Sequence, residues 1–266
     1  MNFKFVETET KGTTRIIYFN SPPANGLNLD VLGELENNLH LLMEEASKIR
    51  CLILASRIKD VFIAGADIKM IKRYMSGSDL AGDMIRFNTK IQETINEVES
   101  LPFPVIAAIN GHAMGGGLET ALACDFRFMA KGKARVGLPE IKLGILPGAG
   151  GTQRLPRLIG KSKAKDIIYN CKFLDAESAL AAGVVDRIYD AESLMEKSLE
   201  YAEELKDRAA VSVSVCKMCI NQGLEMPLKK GLELEMDGLR RLLKTADMRE
   251  GVTAFLEKRS PVFKGA

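Results

Sequence analysis

The chain has 266 residues, 46% of them hydrophobic, enough to bury a sizeable core in one large domain or in a domain with an appendage. Its 37 Lys+Arg residues against 35 Asp+Glu leave a formal charge of +2, which speaks against a surface given over to nucleic acid. No apolar run reaches membrane-spanning length, and the first nine residues carry Glu7 and Glu9 without an apolar signal core, so a cytoplasmic protein with neither nucleic acid nor membrane as a partner is expected. Five cysteines, an odd number in a long chain, fit reduced thiols. Cys216-Lys-Met-Cys219 reads as two small apolar residues at helical spacing. A zinc site needs two further ligands, and the only histidines, His40 and His112, are far off in sequence, so no metal is expected.

Residues 3–9 and 13–20 are predicted strands with a turn at Lys11-Gly12, followed by the turn-rich loop Asn20-Ser-Pro-Pro-Ala-Asn-Gly26. Leu32, Leu35, Leu39, Leu42 and Ala46 recur at helical spacing with one apolar face. Cys51–Ala55 is a buried strand, Val61–Ile63 a short one, and Ala64-Gly-Ala-Asp-Ile-Lys69 a tight turn into a helix. Residues 70–78 hold no firm pattern. Leu80, Met84, Phe87, Ile91, Ile95 and Val98 give a second amphipathic helix, stopped by Pro102. A buried strand over Pro104–Ile109 and a buried helix over Leu118–Cys124 flank the glycines at 115–117, and Asp125–Ala130 alternates like a strand. After the glycine-rich loop at 137–151, Thr152 is a candidate cap for one helix and Asp175 for the next, which ends at Gly183. Beyond Val184-Val185 no strand candidate remains. The expected organisation is an α/β core over residues 1–190 and a helical region over 191–266.

The glycines at 115–117 let the backbone turn sharply and let a ligand approach amide N–H groups with no Cβ in the way. A helix beginning there offers unpaired N–H donors and a partial positive charge, suited to a developing anion. Glu119 follows as an ionisable group in apolar surroundings, and Glu140 lies 21 residues on, after a proline. Two carboxylates in one cleft do not both ionise cheaply, so one holds a proton while the other is a base, a division suited to adding water across a double bond. From the residues alone, two unrelated surface glutamates are the better reading of such a pair in a chain of 266 residues.

Ala64-Gly-Ala-Asp-Ile-Lys69, Asn110-Gly-His-Ala-Met-Gly-Gly-Gly-Leu-Glu119 and Pro139-Glu-Ile-Lys-Leu-Gly-Ile-Leu-Pro-Gly-Ala-Gly-Gly-Thr-Gln-Arg-Leu155 resemble the crotonase (enoyl-CoA hydratase/isomerase) superfamily, as do Asn20–Asn28 and Phe255–Phe263. The resemblance spans nearly the whole chain in order and spacing. It implies an α/β fold, a crotonase-type spiral of ββα units with a C-terminal helical subdomain that assembles trimers or hexamers. It implies an acyl-CoA thioester substrate, with coenzyme A entering as part of that substrate and no separate cofactor. The backbone N–H groups of Ala66 and Gly116 match the oxyanion hole; Ala64, Asp67, Ile68 and Lys69 match substrate contacts; Glu119 and Glu140 match the catalytic pair of hydratases. The implied activity is hydration of a trans-2-enoyl-CoA to a 3-hydroxyacyl-CoA. The alternatives are double-bond isomerisation, or hydration or hydrolysis of a cyclic or branched acyl-CoA. A non-catalytic binding protein on the same fold, or a subunit of a multi-enzyme complex, is the reading from a different class. His112 in the glycine turn is expected to point into packing, and a Cβ at Gly116 is expected to crowd the thioester oxygen.

Overall fold

The computed structural model describes residues 3–265. β1 (Val6–Lys11) and β2 (Thr14–Phe19) form an antiparallel hairpin whose turn uses Gly12 at φ +58. β1 begins at Val6 rather than at residue 3, and the Lys4, Phe5 and Val6 amides donate to the Glu34 carboxylate. Glu34 lies on α1 (Leu29–Glu44), which is capped by Asn28 and buries Leu32, Leu35, Leu39 and Leu42 as their spacing predicts.

Next come β3 (Cys51–Ser56), β4 (Val61–Ile63), α2 (Ile68–Met75) and α3 (Leu80–Ser100). The patternless stretch at 70–78 is thus largely helical. Asp67 starts α2 by accepting the Lys69 N–H at 2.8 Å, and Met70 is its one buried residue. β5 (Val105–Ile109), β6 (His112–Met114), α4 (Gly116–Leu122), β7 (Phe126–Ala130) and β8 (Val136–Gly137) follow.

Each pair β3–β4, β5–β6 and β7–β8 sends its first strand to one sheet and its second to another. The larger sheet runs β1-β2-β3-β5-β7-β9, parallel throughout except for the hairpin, and the smaller runs β4-β6-β8, all parallel. This repetition is the spiral of ββ units that the resemblance implied. Strands β3 and β5 are covered on both faces and read as unbroken apolar runs.

α5 (Gly151–Ile159) starts after Gly150 at φ +111 with no side-chain cap, so Thr152 lies inside the helix and does not cap it. α6 (Lys161–Tyr169) and α7 (Ala176–Ala182) follow, the latter capped by Asp175 and ended by Gly183 as expected. Val184 and Val185 both donate to the Ala179 carbonyl and so close α7, leaving the last strand to β9 (Arg187–Tyr189).

Four helices complete the chain: α8 (Leu194–Leu205), α9 (Ala210–Gly223), α10 (Leu228–Leu242) and α11 (Ala246–Glu257). α8 packs on the larger sheet, burying Leu194 and Ala202 and setting the Tyr201 ring 5.1 Å from Phe126 and 5.4 Å from Phe128. α9 packs chiefly against α10. No described helix is long and apolar enough to cross a membrane.

Candidate active site

The three strands of the small sheet point their carboxyl ends at one place. β4 runs directly into Ala64-Gly65-Ala66, β6 into Gly115-Gly116, and β8 into Leu138-Pro139-Glu140. The crevice beyond the carboxyl ends of parallel strands is where α/β sheets bind ligands, because helix N-termini and loop amides gather there. Here a cleft of about 180 Å³ is lined by Ala64, Ala66, Gly116, Glu119 and Glu140 together.

Local pairing turns two amides toward that cleft. Leu27 donates its N–H to the Gly65 carbonyl and accepts from the Asp67 N–H, both at 2.8 Å. In this parallel bridge the neighbours of Ala66 make both bonds, so the N–H of Ala66 points to the opposite side. Leu27 is itself held by the preceding loop. Asn25, fully buried, accepts from the Ser21 N–H and donates to Ser56 Oγ and the Phe62 carbonyl.

Gly116 is the first residue of α4, where an N–H has no intrahelical acceptor. Gly65, at φ +99, brings the two turns together: a Cβ on it would lie 3.0 Å from the Met114 carbonyl oxygen and 4.0 Å from the Gly116 nitrogen. A Cβ on Gly116 would instead meet Leu27 Cδ1 at 2.9 Å. Core packing by itself therefore calls for glycine at 116.

Glu119 is 2% exposed. Its Oε1 accepts the N–H of Ala149 at 2.8 Å and that of Gly151 at 2.7 Å. Burial pushes its carboxyl up to about 7; the Gly151 amide opposes the rise, and the nearby Glu140 charge adds to it. Glu140 begins a single 3₁₀ turn and is half-buried. Burial raises its carboxyl as well, and its Oε2 is buried without a hydrogen-bond partner among the described residues. Gly115, at φ +52, is what lets that carboxylate approach, since a Cβ there would overlap Glu140 Oε1.

Of the other residues singled out in sequence, Ile68 also lines the cleft, while Asp67 and Lys69 do not; Asp67 is engaged in capping α2. His112 sits in β6, paired with Val61, outside the cleft lining. Sequence reading missed the wall contributed by α3. Met84, Phe87, Asn88 and Ile91 face the cleft at steps of three, one and three, and the signal was a polar Asn88 set within an otherwise apolar helical stripe. Glu36, His40 and Glu97 gather between α1 and α3 with potential ligand atoms within 4.8 Å of one another, but Lys90 already pairs with Glu36 and the group lies away from the cleft.

The sequence profile of the Enoyl-CoA hydratase/isomerase family matches residues 9–266. The chain belongs to this family, within the crotonase superfamily. The mitochondrial methylglutaconyl-CoA hydratase of Mus musculus is 38% identical over 269 residues, spanning 100% of this chain and 83% of that protein. The short-chain-enoyl-CoA hydratase of Clostridium acetobutylicum is 36% identical over 260 residues, 97% of each chain. Among solved structures, the enoyl-CoA hydratase from Bacillus anthracis matches with a TM-score of 0.92 at 39% identity, covering 99% of this chain and 100% of that one. The mixed α/β spiral described above is the fold of these relatives.

Proposed function

We propose that this member of the family is an enoyl-CoA hydratase, adding water across the 2,3 double bond of a trans-2-enoyl-CoA to give a 3-hydroxyacyl-CoA. One observation carries the proposal: a buried and a half-buried carboxylate share an apolar cleft with two outward-turned backbone amides. The thioester oxygen accepts from the Ala66 and Gly116 N–H groups, which polarises the conjugated alkene and makes its β-carbon electrophilic. Glu119, with one oxygen committed to the Ala149 and Gly151 amides, uses the other as base toward water. Glu140, whose Oε2 lacks any partner among the described residues, carries the proton and delivers it to the α-carbon. Hydroxide thus adds at the β-carbon and a proton at the α-carbon; Glu119 then loses its proton to solvent and Glu140 regains one.

Ile71, Met84, Phe87, Leu143 and Leu146 make the wall apolar, and no Lys or Arg lies on the described lining. That favours an uncharged acyl group over an acidic one such as a methylglutaconyl group, whose buried carboxylate would lack a cation. Coenzyme A enters as part of the substrate, with no separate cofactor. Lys69, exposed in the first turn of α2, together with Asp67 is proposed to meet its nucleotide or pantetheine portion. Residues 191–266 are proposed as the assembly region of a homotrimer or homohexamer, supported by Phe255 at 82% and Leu228 at 79% exposure. A cytoplasmic location is part of the same reading.

The test is turnover of crotonyl-CoA against a 3-enoyl-CoA and a cyclic or branched enoyl-CoA, with products resolved by chromatography. Hydration of crotonyl-CoA to 3-hydroxybutyryl-CoA is expected. Double-bond migration with no hydrated product would replace this reading by the isomerase one.

A further inference from the structure

One polar stripe of the molecule has no part in the chemistry above. On α3, Asn88, Gln92, Asn96 and Glu99 follow at steps of four, four and three, so they share one face of the helix. Asn88 and Gln92 are engaged with the loop that leads into α5, and Asn96 and Glu99 with Arg154 on α5 itself. Asn88 Nδ2 donates to the Gly148 carbonyl at 2.9 Å, and Gln92 Nε2 donates to the same oxygen. Arg154 donates to Asn96 Oδ1 at 2.7 Å, to Glu99 Oε2 through its Nε at 3.1 Å, and to the Ala149 carbonyl at 3.2 Å.

The Gly148 carbonyl and the Ala149 N–H belong to a single peptide group. A trans peptide is planar, with its C=O and N–H pointing in opposite directions, so fixing the carbonyl fixes the N–H. That N–H is one of the two donors on Glu119 Oε1. Two side-chain donors on a carbonyl also polarise the peptide and strengthen the bond its N–H gives, by about 10–30%. Gly148 admits the clamp, since a Cβ there would clash with Asn88 Oδ1.

We propose that the α3 stripe, and Asn88 and Gln92 above all, are positioning residues that aim the 148–149 peptide at Glu119 and hold its carboxylate in the orientation and charge state needed to activate water. The proposal rests on the hydratase reading for its consequence in turnover, but not for its geometry. With both amide side chains removed, the Ala149 N–H swings more freely and gives a weaker bond, and the ionised form of Glu119 loses support. Its titration midpoint then moves upward, and the fraction of enzyme with a competent base falls at neutral pH.

The variants are Asn88→Leu, Gln92→Leu and the two combined. Gln92 is exposed, so its replacement alone leaves the core untouched. Carboxyl-labelled glutamate and NMR titration, with the Glu119 signal assigned by its loss in Glu119→Gln, read the midpoint without any substrate. The expected result is an upward move in the double variant and a smaller one in each single variant. Crotonyl-CoA kinetics should show kcat lower by about ten-fold near pH 7, the low end for loss of an outer hydrogen-bond partner. KM should stay within about two-fold, the acidic limb of the pH profile should move upward with the NMR midpoint, and the deficit should shrink at higher pH. A folded double variant with an unmoved Glu119 midpoint overturns the proposal. If the wild-type enzyme hydrates no enoyl-CoA, the hydratase reading falls and the NMR titration alone decides the clamp.

Discussion

Replacing Glu119 with Gln should abolish most activity and, at alkaline pH, make the protein more stable. The carboxyl is 2% exposed and rises from an ordinary value of 4.5 to about 7. At about 1.36 kcal/mol per pH unit, that rise amounts to roughly 3 kcal/mol by which burial penalises the charged form. The folded chain holds the proton up to about pH 7, whereas the unfolded chain releases it near 4.5. Between those values the folded state binds more protons, so this group's contribution to stability is fully present at low pH and is lost as pH rises through 7. A Gln at 119 keeps an oxygen for the Ala149 and Gly151 amides and carries no charge at any pH.

The variant should therefore exceed wild type by up to about 3 kcal/mol at pH 8, or roughly 5–10 °C in Tm for a chain of this size. By pH 5 the difference should shrink to about 1 kcal/mol or less. Calorimetry of both proteins at matched concentration, across pH 5 to 8, measures the gap, and kcat on crotonyl-CoA should fall by about 10²–10⁴. A Gln variant no more stable than wild type at pH 8, or a gap independent of pH, refutes a buried carboxylate held at a free-energy penalty.

Glu140→Gln should lower kcat by about 10²–10⁴ while KM stays within about three-fold, as steady-state kinetics will show. Gly115→Ala should lower both kcat and Tm, since its Cβ overlaps Glu140 Oε1 and its φ of +52 disfavours an L-residue; retained turnover would detach Glu140 from the reaction. Asn25→Ala leaves the Ser21 N–H and the Phe62 carbonyl unpaired in the core, and denaturant unfolding should register a loss on the order of 3 kcal/mol. A chain shortened before Ala191 loses α8 from the larger sheet and should be insoluble or fail to assemble; a soluble, active monomer by sedimentation would refute the assembly role of the tail.

The local pattern was readable wherever a segment announces itself without its partners. The apolar spacing of Leu32, Leu35, Leu39 and Leu42 gave α1, and Asp175 with Gly183 gave both ends of α7, because periodicity and capping act within one or two turns. The pattern failed at Thr152, where the Gly151 amide is drawn to Glu119 and the helix starts two residues early, with Gly150 in the cap position. It failed again at Val184-Val185, whose amides close α7 on Ala179 and join no strand. Both failures trace to hydrogen bonds that a distant or preceding element supplies.

Family membership, the strand–helix alternation and the two glutamates were determined by sequence, since motif order and side-chain type survive without coordinates. Tertiary structure alone decided that β6 and β8, three and two residues long, exist as strands. Such short segments have no periodicity of their own and are defined only by the strands beside them. It also decided which way the Ala66 N–H points, which atom a Cβ at Gly116 would meet, and that α3 grips the Gly148 carbonyl from 60 residues away. Each of these is a relation between groups distant in sequence and brought together by the spiral, and no window of sequence contains both partners.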